Sequence, residues 1–239
     1  MGEYIGAIQE DFRRHGFPIE RSGKVQEFLL TASGIQTQEM ARWEYRSKDE
    51  QWSVLVHQDS MVMQTTAYDR FEDFAEKLQR ALDTVLTKTE HDKLGVIQRI
   101  GLRYVNVIRP REGEDHRTYL REGFHGIPDA VFVPGTNRLH IESVGSTTAG
   151  PDGAKMIVRI SQNDEGRELP PDLGISPPKF VKQAQAGETV TLLDLDHFVE
   201  GTFEPNPKWV IEQAYDLHDH IIETFHEHVV TPAAIEVWK

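Results

Sequence analysis

The sequence contains no cysteine. This absence excludes disulfides, thiolate metal sites, iron–sulfur clusters and cysteine nucleophiles, so any chemistry must come from oxygen and imidazole groups. No apolar run approaches the roughly 18 residues that a membrane-spanning helix needs. The N-terminal residues 1–16 carry charges where a signal peptide would have its apolar stretch. We therefore expect a cytoplasmic protein with no membrane segment and a single domain over residues 1–239.

Positive charge is scarce, since 26 Lys and Arg stand against 39 Asp and Glu and give a formal net charge of −13. This charge repels phosphate backbones and anionic lipid at long range, which argues against bulk nucleic-acid binding and membrane binding. The exception is the segment from Arg99 to Arg121, which holds six arginines. It predicts either a site for an anion or pairing with the protein's own carboxylates.

Motifs that bind nucleotides or activate nucleophiles are also missing. The chain has no G-x-x-x-x-G-K-[ST] loop, no G-x-G-x-x-G loop and no G-x-S-x-G elbow. The Gly-rich stretch at 145–153 lacks a following helix, so it predicts a hairpin connection and not a phosphate loop. We therefore predict no catalytic residue and no cofactor.

Histidines are the remaining candidates for metal ligands. His218, His220, His226 and His228 fall in one predicted helix, at spacings of two and eight residues. Ligand pairs on a helix need spacings of three or four, because only those residues lie next to each other on one face. The sequence therefore predicts no metal site.

The order of the predicted elements indicates an α+β fold. Helical spacing of Tyr4, Ile5, Ile8 and Phe12 predicts a short amphipathic first helix. Strand formers predict strands at 26–33, 40–47, 99–108, 138–147, 154–161 and 188–201, and within 51–68 on the two sides of a turn at Gln58-Asp59. The polar, Gly- and Pro-punctuated residues 110–137 predict a long loop or excursion outside the core.

Two long helices are predicted after groups of strands. One begins at Phe71 behind an Asp69 cap, and the other has an Asn206 cap with Pro207 in its first turn. We predict a largely antiparallel sheet packed by both helices, which should bury Phe74, Leu78, Leu82, Leu217, Ile221 and Phe225. The repeated order of strands followed by a helix also suggests pseudo-repeats at 20–109 and 137–230.

Two strand segments supply the candidate site. Alternation places Arg99, Gly101 and Arg103 on one face of their strand, where Gly101 would let a ligand or a backbone approach. Asp194 and Asp196 share one face of another strand, roughly 6–7 Å apart. The predicted ligand-binding residues are Arg99, Arg103, Tyr104, Asn106, Asp194 and Asp196. The competing interpretation, which we favour for the free protein, is that the two arginines form salt bridges with the two aspartates.

Three segments carry a family resemblance: RIGLRYVN at 99–106, LLDLDHF at 192–198 and LHDHIIETFHEHVVTPAAIEVW at 217–238. In this order the chain resembles a sporadically distributed bacterial family of about this length that has no established biochemical role. The patchy distribution implies mobile or defence-associated genes.

The expected function follows from this resemblance and from the missing catalytic motifs. We expect a non-enzymatic bacterial protein-interaction module of a defence or toxin–antitoxin-like system, whose partner is a second copy or another protein. The alternative is a protein that binds a small anionic ligand or nucleotide. A further version of this alternative is that the protein also hydrolyses that ligand. Its site would consist of Arg99, Arg103, Asp194 and Asp196.

Overall fold

The computed structural model describes residues 4–31, 34–90, 95–135, 140–148, 150, 153–163, 166–173, 177–179 and 188–238. The chain divides into two compact units. The first unit comprises Met1–Val96, Ser176–Val181 and Glu204–Ile211, and the second comprises Ile97–Ile175, Lys182–Phe203 and Glu212–Lys239.

The first unit contains a four-stranded antiparallel meander with strand order β1-β2-β3-β4. Its elements are α1 (Ile5–Arg14), β1 (Ile19–Thr31), β2 (Gly34–Arg46), β3 (Trp52–Val56), β4 (Met61–Thr65) and α2 (Phe71–Thr89). On α1, Ile8 and Phe12 are four residues apart and both are buried. Phe12 stacks on Tyr45 of β2 with ring centroids 4.7 Å apart. Ala81 and Val85 of α2 join the same core, so both helices cover this sheet.

The start of α2 differs from the sequence prediction. The N-cap is Arg70, and its side chain makes no capping hydrogen bond, so the predicted Asp69 cap is wrong. Arg70 instead pairs with Asp73 in the first turn at 3.3 Å. Acidic side chains at Glu72 and Asp73 also suit the positive end of the helix dipole, which explains how the helix starts without a cap.

The second unit contains a four-stranded antiparallel sheet with strand order β5-β8-β7-β6. Its strands are β5 (Ile97–Ile108), β6 (His140–Thr148), β7 (Lys155–Asn163) and β8 (Val190–Phe203). β6 and β7 are consecutive antiparallel neighbours, but residues 145–148 of the predicted hairpin connection belong to β6 itself, and residues 149, 151 and 152 lie outside the described residues. Strand β8 lies between β5 and β7 and is buried along most of its length.

The C-terminal region begins with α3 (Pro207–Glu223), and its Asn206 cap is confirmed. Asn206 Oδ1 accepts hydrogen bonds from the backbone N–H of Lys208 at 3.0 Å and of Trp209 at 3.3 Å. The sequence predicts one helix through His228, but the α-helix ends at Glu223, because Thr224–Val229 is a π-helical segment. Its wider turn is closed by a hydrogen bond from Val230 N–H to Phe225 C=O at 3.0 Å.

After this segment the chain joins the excursion that follows β5. Leu120 and Val230 form an antiparallel bridge, and Thr231 N–H donates to Tyr119 C=O at 3.0 Å. Helix α4 (Pro232–Trp238) follows, and Trp238 stacks on Tyr119 with ring centroids 5.8 Å apart. The excursion predicted at residues 110–137 therefore contributes two buried core residues, Tyr119 and Leu120.

The α+β class and the antiparallel strand pairing are confirmed. The strands form two sheets, so the prediction that both long helices pack on one sheet is wrong: the core of α2 contains residues of β2 to β4, and α3 contacts β8. Leu217 and Ile221 are buried as predicted, whereas Phe74, Leu78, Leu82 and Phe225 are half-buried.

The predictions of a single domain and of pseudo-repeats remain predictions. Each sheet is followed by a long helix, but the two sheets differ in strand order. Within the described ranges, every helix is too short or too polar to cross a lipid bilayer.

Two buried tyrosines form a matched pair for a stability test. Among the described residues, the Tyr45 hydroxyl has no hydrogen-bond partner, and burial raises the pKa of Tyr45. The Tyr119 hydroxyl donates to Glu114 Oε2 at 2.5 Å. Tyr45→Phe should leave the free energy of unfolding unchanged or raise it by about 1 kcal/mol, whereas Tyr119→Phe should lower it by about 1–2 kcal/mol. Chemical denaturation measures the free energy of unfolding of both variants. Equal losses would contradict the conclusion that only the Tyr119 hydroxyl makes a stabilising hydrogen bond.

Candidate functional site

The pairing of β5 with β8 brings four of the predicted site residues to one face of the second sheet. Arg103 lies opposite Asp196, and Val105 lies opposite Asp194. Because side chains alternate along a strand, Arg99 and Arg103 share a face with Asp194 and Asp196. We call this surface the polar face. The predicted salt bridges are confirmed, since Arg103 pairs with Asp194 and Arg99 pairs with Asp196.

Asp194 is the buried centre of the polar face, with 4% of its side chain exposed. Arg103 binds it with two parallel hydrogen bonds, from Nε to Oδ1 and from Nη2 to Oδ2, both at 2.7 Å. Arg159 lies directly opposite Asp194 on β7 and donates from Nη1 to Oδ2 at 3.3 Å. A buried carboxylate requires such charged donors, and two arginines from two strands supply them.

A second carboxylate reaches Arg103 from outside the sheet. Asp172 lies in the short 3-10 helix Pro171–Leu173 and accepts from Nη1 at 2.5 Å and from Nη2 at 3.3 Å. Burial lowers the pKa of Arg103, but the hydrogen bonds to Asp194 and Asp172 outweigh it and raise the pKa above the ordinary value. The hydrogen bond from Arg103 lowers the pKa of Asp172. Both side chains are therefore charged near neutral pH.

Arg99 makes weaker contacts than Arg103. Half of its side chain is exposed, and its Nη2 lies 3.6 Å from Asp196 Oδ2. The guanidinium also lies over the ring of Phe198, 4.1 Å from the centroid. A Cβ atom on Gly101 would lie 3.2 Å from Phe198 Cβ. The glycine therefore accommodates Phe198 of the neighbouring strand, while the approach of a ligand at this position remains a prediction.

Tyr104 and Asn106 are not part of this group. They lie on the opposite face of β5, where the Tyr104 hydroxyl is 3.0 Å from Nδ1 of His218 on α3. On the same face His197 of β8 is fully buried, with Nδ1 3.1 Å from the Leu217 carbonyl oxygen. The site predicted from the sequence is thus divided between two faces of the sheet.

The other arginines of the basic segment do not converge on one point. Arg109 pairs with Glu168 and with Glu188, and Arg121 donates from Nε to the Val230 carbonyl oxygen at 3.1 Å. The arginines that are close together in the sequence therefore have separate partners in the structure.

The predicted absence of a metal site remains a prediction. Among the described residues, no group of three or more His, Asp or Glu side chains is arranged to hold a metal ion. The rings of His197 and His220 lie 5.4 Å apart in an edge-to-face arrangement, which is a packing contact.

A cleft of ≈ 420 Å³ opens on the polar face. Arg103, Arg159 and Asp194 of the sheet line it together with Arg167, Leu169 and Asp172 of the segment that follows β7. Arg99 and Asp196, which the sequence placed in the site, are not among its lining residues.

Sequence reasoning missed Arg159, Arg167 and Asp172. Strand alternation within Lys155–Asn163 puts Arg159 on one face with Ile157 and Ser161, so its direction was predictable, but its pairing with β8 was not. Asp172 lies in a Pro-rich segment whose path follows no periodic pattern. Comparisons of the chain with protein-family models, curated proteins and solved structures find no match.

Replacing Arg103 tests whether it is a structural partner of Asp194. Arg103→Met leaves the buried carboxylate with Arg159 alone and should lower the free energy of unfolding by about 3 kcal/mol. Arg99→Met on the same strand removes a half-exposed pair and should lower it by less than about 1 kcal/mol. Urea denaturation of both variants measures the difference. Similar small losses would mean that Asp194 does not depend on Arg103.

Asp196 gives the polar face a pH-dependent stability. Burial raises the pKa of Asp196, although the neighbouring Arg99 opposes the shift. An acid with a raised pKa in the folded state destabilises the fold as pH rises from its unfolded value of 3.8 through its folded value. The stability of Asp196→Asn relative to the wild type should therefore increase from pH 4 to pH 7. Denaturation curves at both pH values measure this difference in stability. Glu200→Asn, at an exposed position, is the control and should gain no stability relative to the wild type between pH 4 and pH 7.

Proposed function

We propose that the chain is a non-enzymatic protein-interaction module that binds an extended segment of a partner protein along the outer edge of β6. The observation that supports this proposal most directly is the lack of charged residues and proline along that edge. β6 is the outermost strand of the second sheet, and residues 143–148 within it contain no charge and no proline. Val144 at its centre is 58% exposed.

Exposed edge strands template pairing with another chain unless something blocks them. Natural sheets block them with lysine, proline, bulges or covering segments. β6 pairs with β7 in unbroken register over nine residues, so no bulge bends it away. Among the described residues, no backbone group outside the sheet hydrogen-bonds to β6. An added strand would gain main-chain hydrogen bonds along this edge.

An apolar segment next to β6 supplies side-chain contacts for a partner. At its start, a Cβ atom on Gly126 would lie 2.7 Å from Ile141 Cγ2, so the segment begins against β6. It then exposes four large apolar side chains: Ile127, Val131, Phe132 and Val133, which are 45–72% exposed. Clustered exposed apolar residues are typical of protein-binding surfaces.

The arrangement of charges supports binding over catalysis. Asp194 is ion-paired with two arginines, and so is not free to act as a general base or a nucleophile. The resemblance to a sporadically distributed bacterial family extends the proposal to a defence or toxin–antitoxin-like system. In that case, cells that express the protein should resist phage or tolerate a co-encoded toxin.

A charged residue at the β6 edge should abolish partner binding. Val144→Lys places a charge at an exposed edge position opposite Arg159 on β7, which should make strand addition unfavourable, and thermal unfolding checks that the variant is folded. Val62→Lys is the matched control, because Val62 is also an exposed valine on an edge strand, β4. Tagged wild type and variants, expressed in the native host, are purified and the associated proteins are quantified by mass spectrometry. Sedimentation velocity detects self-association.

The expected result is a partner or a dimer that wild type and Val62→Lys retain and Val144→Lys loses. Hydrogen exchange should show protection of the β6 amides in the complex. Equal association of all three proteins, or protection confined to other strands, would contradict the proposal.

A further inference from the structure

We infer that the cleft on the polar face binds a small organic anion, whose carboxylate or phosphate takes the position of Asp172 against Arg103. The inference is independent of the proposed protein-interaction function, because it rests on the cleft and not on the outer edge of β6. The volume of ≈ 420 Å³ lies in the range of pockets for small ligands.

The two carboxylates bound to Arg103 have different roles. Asp194 has 4% of its side chain exposed and is held by Arg103 and Arg159, so it is a fixed part of the sheet. The side chain of Asp172 is 62% exposed and belongs to a one-turn helix outside the sheet. An exposed ion pair contributes little to stability, so Asp172 can leave while Asp194 keeps Arg103 in place.

The position of Asp172 also shows which chemical group can bind to Arg103 in the cleft. Its two oxygens contact Nη1 and Nη2 of Arg103, which is the two-point geometry that guanidinium groups offer to carboxylates and phosphates. An external oxyanion in the same place would make the same two hydrogen bonds. Asp172 therefore competes with an external oxyanion for the same two donors of Arg103.

Two further arginines, Arg159 and Arg167, complete the proposed anion site. Among the described residues, the side chain of Arg159 contacts Asp194 through Nη1 alone, which leaves its other donors for a ligand. Arg167 lies at the rim, and its backbone is fixed by Asn163: Oδ1 accepts from Arg167 N–H at 2.8 Å, and Nδ2 donates to Arg167 C=O at 3.1 Å.

The remaining lining defines the rest of the ligand. Leu169, Pro170 and Leu192 offer an apolar wall, and Ser161 offers a hydroxyl. A small molecule with one oxyanion and a short apolar body fits these groups. Because the chain has a net charge of −13, anions are repelled at long range, and binding depends on the local guanidinium groups.

The test titrates sodium succinate and sodium phosphate, at constant ionic strength set by chloride, into the full chain. Two-dimensional NMR of the arginine Nε–H signals follows binding. The expected result is saturable shifts of the Arg103 and Arg159 signals with at least one probe. Succinate and phosphate separate carboxylate from phosphate ligands by their relative affinities.

Asp172→Asn should bind the effective probe about fivefold more tightly, because no internal carboxylate must be displaced. Glu142→Gln is the control, since Glu142 lines the same cleft and pairs with His140 at 3.6 Å, not with Arg103. Its affinity should change by less than about twofold. Arg159→Gln and the exposed Arg167→Gln should each weaken binding by about tenfold or more, while their unfolding midpoints show that they are folded.

Three results would overturn the inference. The first is the lack of saturable shifts in the wild type with both probes. The second is an equal gain in Asp172→Asn and Glu142→Gln, which would reflect general charge removal and no displacement. The third is unchanged affinity in both arginine variants, which would place the anion elsewhere.

Discussion

The ion pair between Asp194 and its two arginines fixes the architecture of the second sheet. Asp194 is nearly inaccessible to water, and a charge in that position is tolerated only with good hydrogen-bonding geometry. Arg103 reaches it from β5 and Arg159 from β7, so one carboxylate connects three neighbouring strands. A shift of either neighbour by one residue would turn its guanidinium to the opposite face and leave the carboxylate buried and unpaired. The pair therefore specifies register as well as adding stability.

The sequence predicts element types well where periodicity is strong. Helix α1, the burial of Leu217 and Ile221 on α3 and the Asn206 cap all follow from local spacing or chemistry. The predictions fail where tertiary contacts decide. The π-helical segment ends where Val230 pairs with Leu120, more than 100 residues earlier in the chain, and the separation into two sheets depends on which strands meet. Neither is encoded in a local pattern.

The candidate site shows the same limit. Alternation correctly places Arg99 and Arg103 together, and it also separates Tyr104 and Asn106 from them, although the predicted site included all four. The salt bridges of these arginines with Asp194 and Asp196 were also predicted. What the sequence could not show is that Asp194, 91 residues from Arg103 along the chain, also accepts a hydrogen bond from Arg159 on a third strand. The contribution of Asp172 is harder still, because an irregular Pro-rich segment offers no register from which its direction could be inferred.

The strand order of the second sheet has a consequence for biosynthesis. The meander of the first unit is complete once β4 has left the ribosome, since every neighbour in that sheet is also a neighbour in sequence. In contrast, β5 has β8 as its only strand partner in the described sheet, and β8 is the last strand to be made. Non-local pairing of this kind forms slowly and leaves apolar strand edges open to wrong contacts. During translation β5 has no strand partner in this sheet until β8 has been made, so the order of synthesis delays the formation of the whole second sheet.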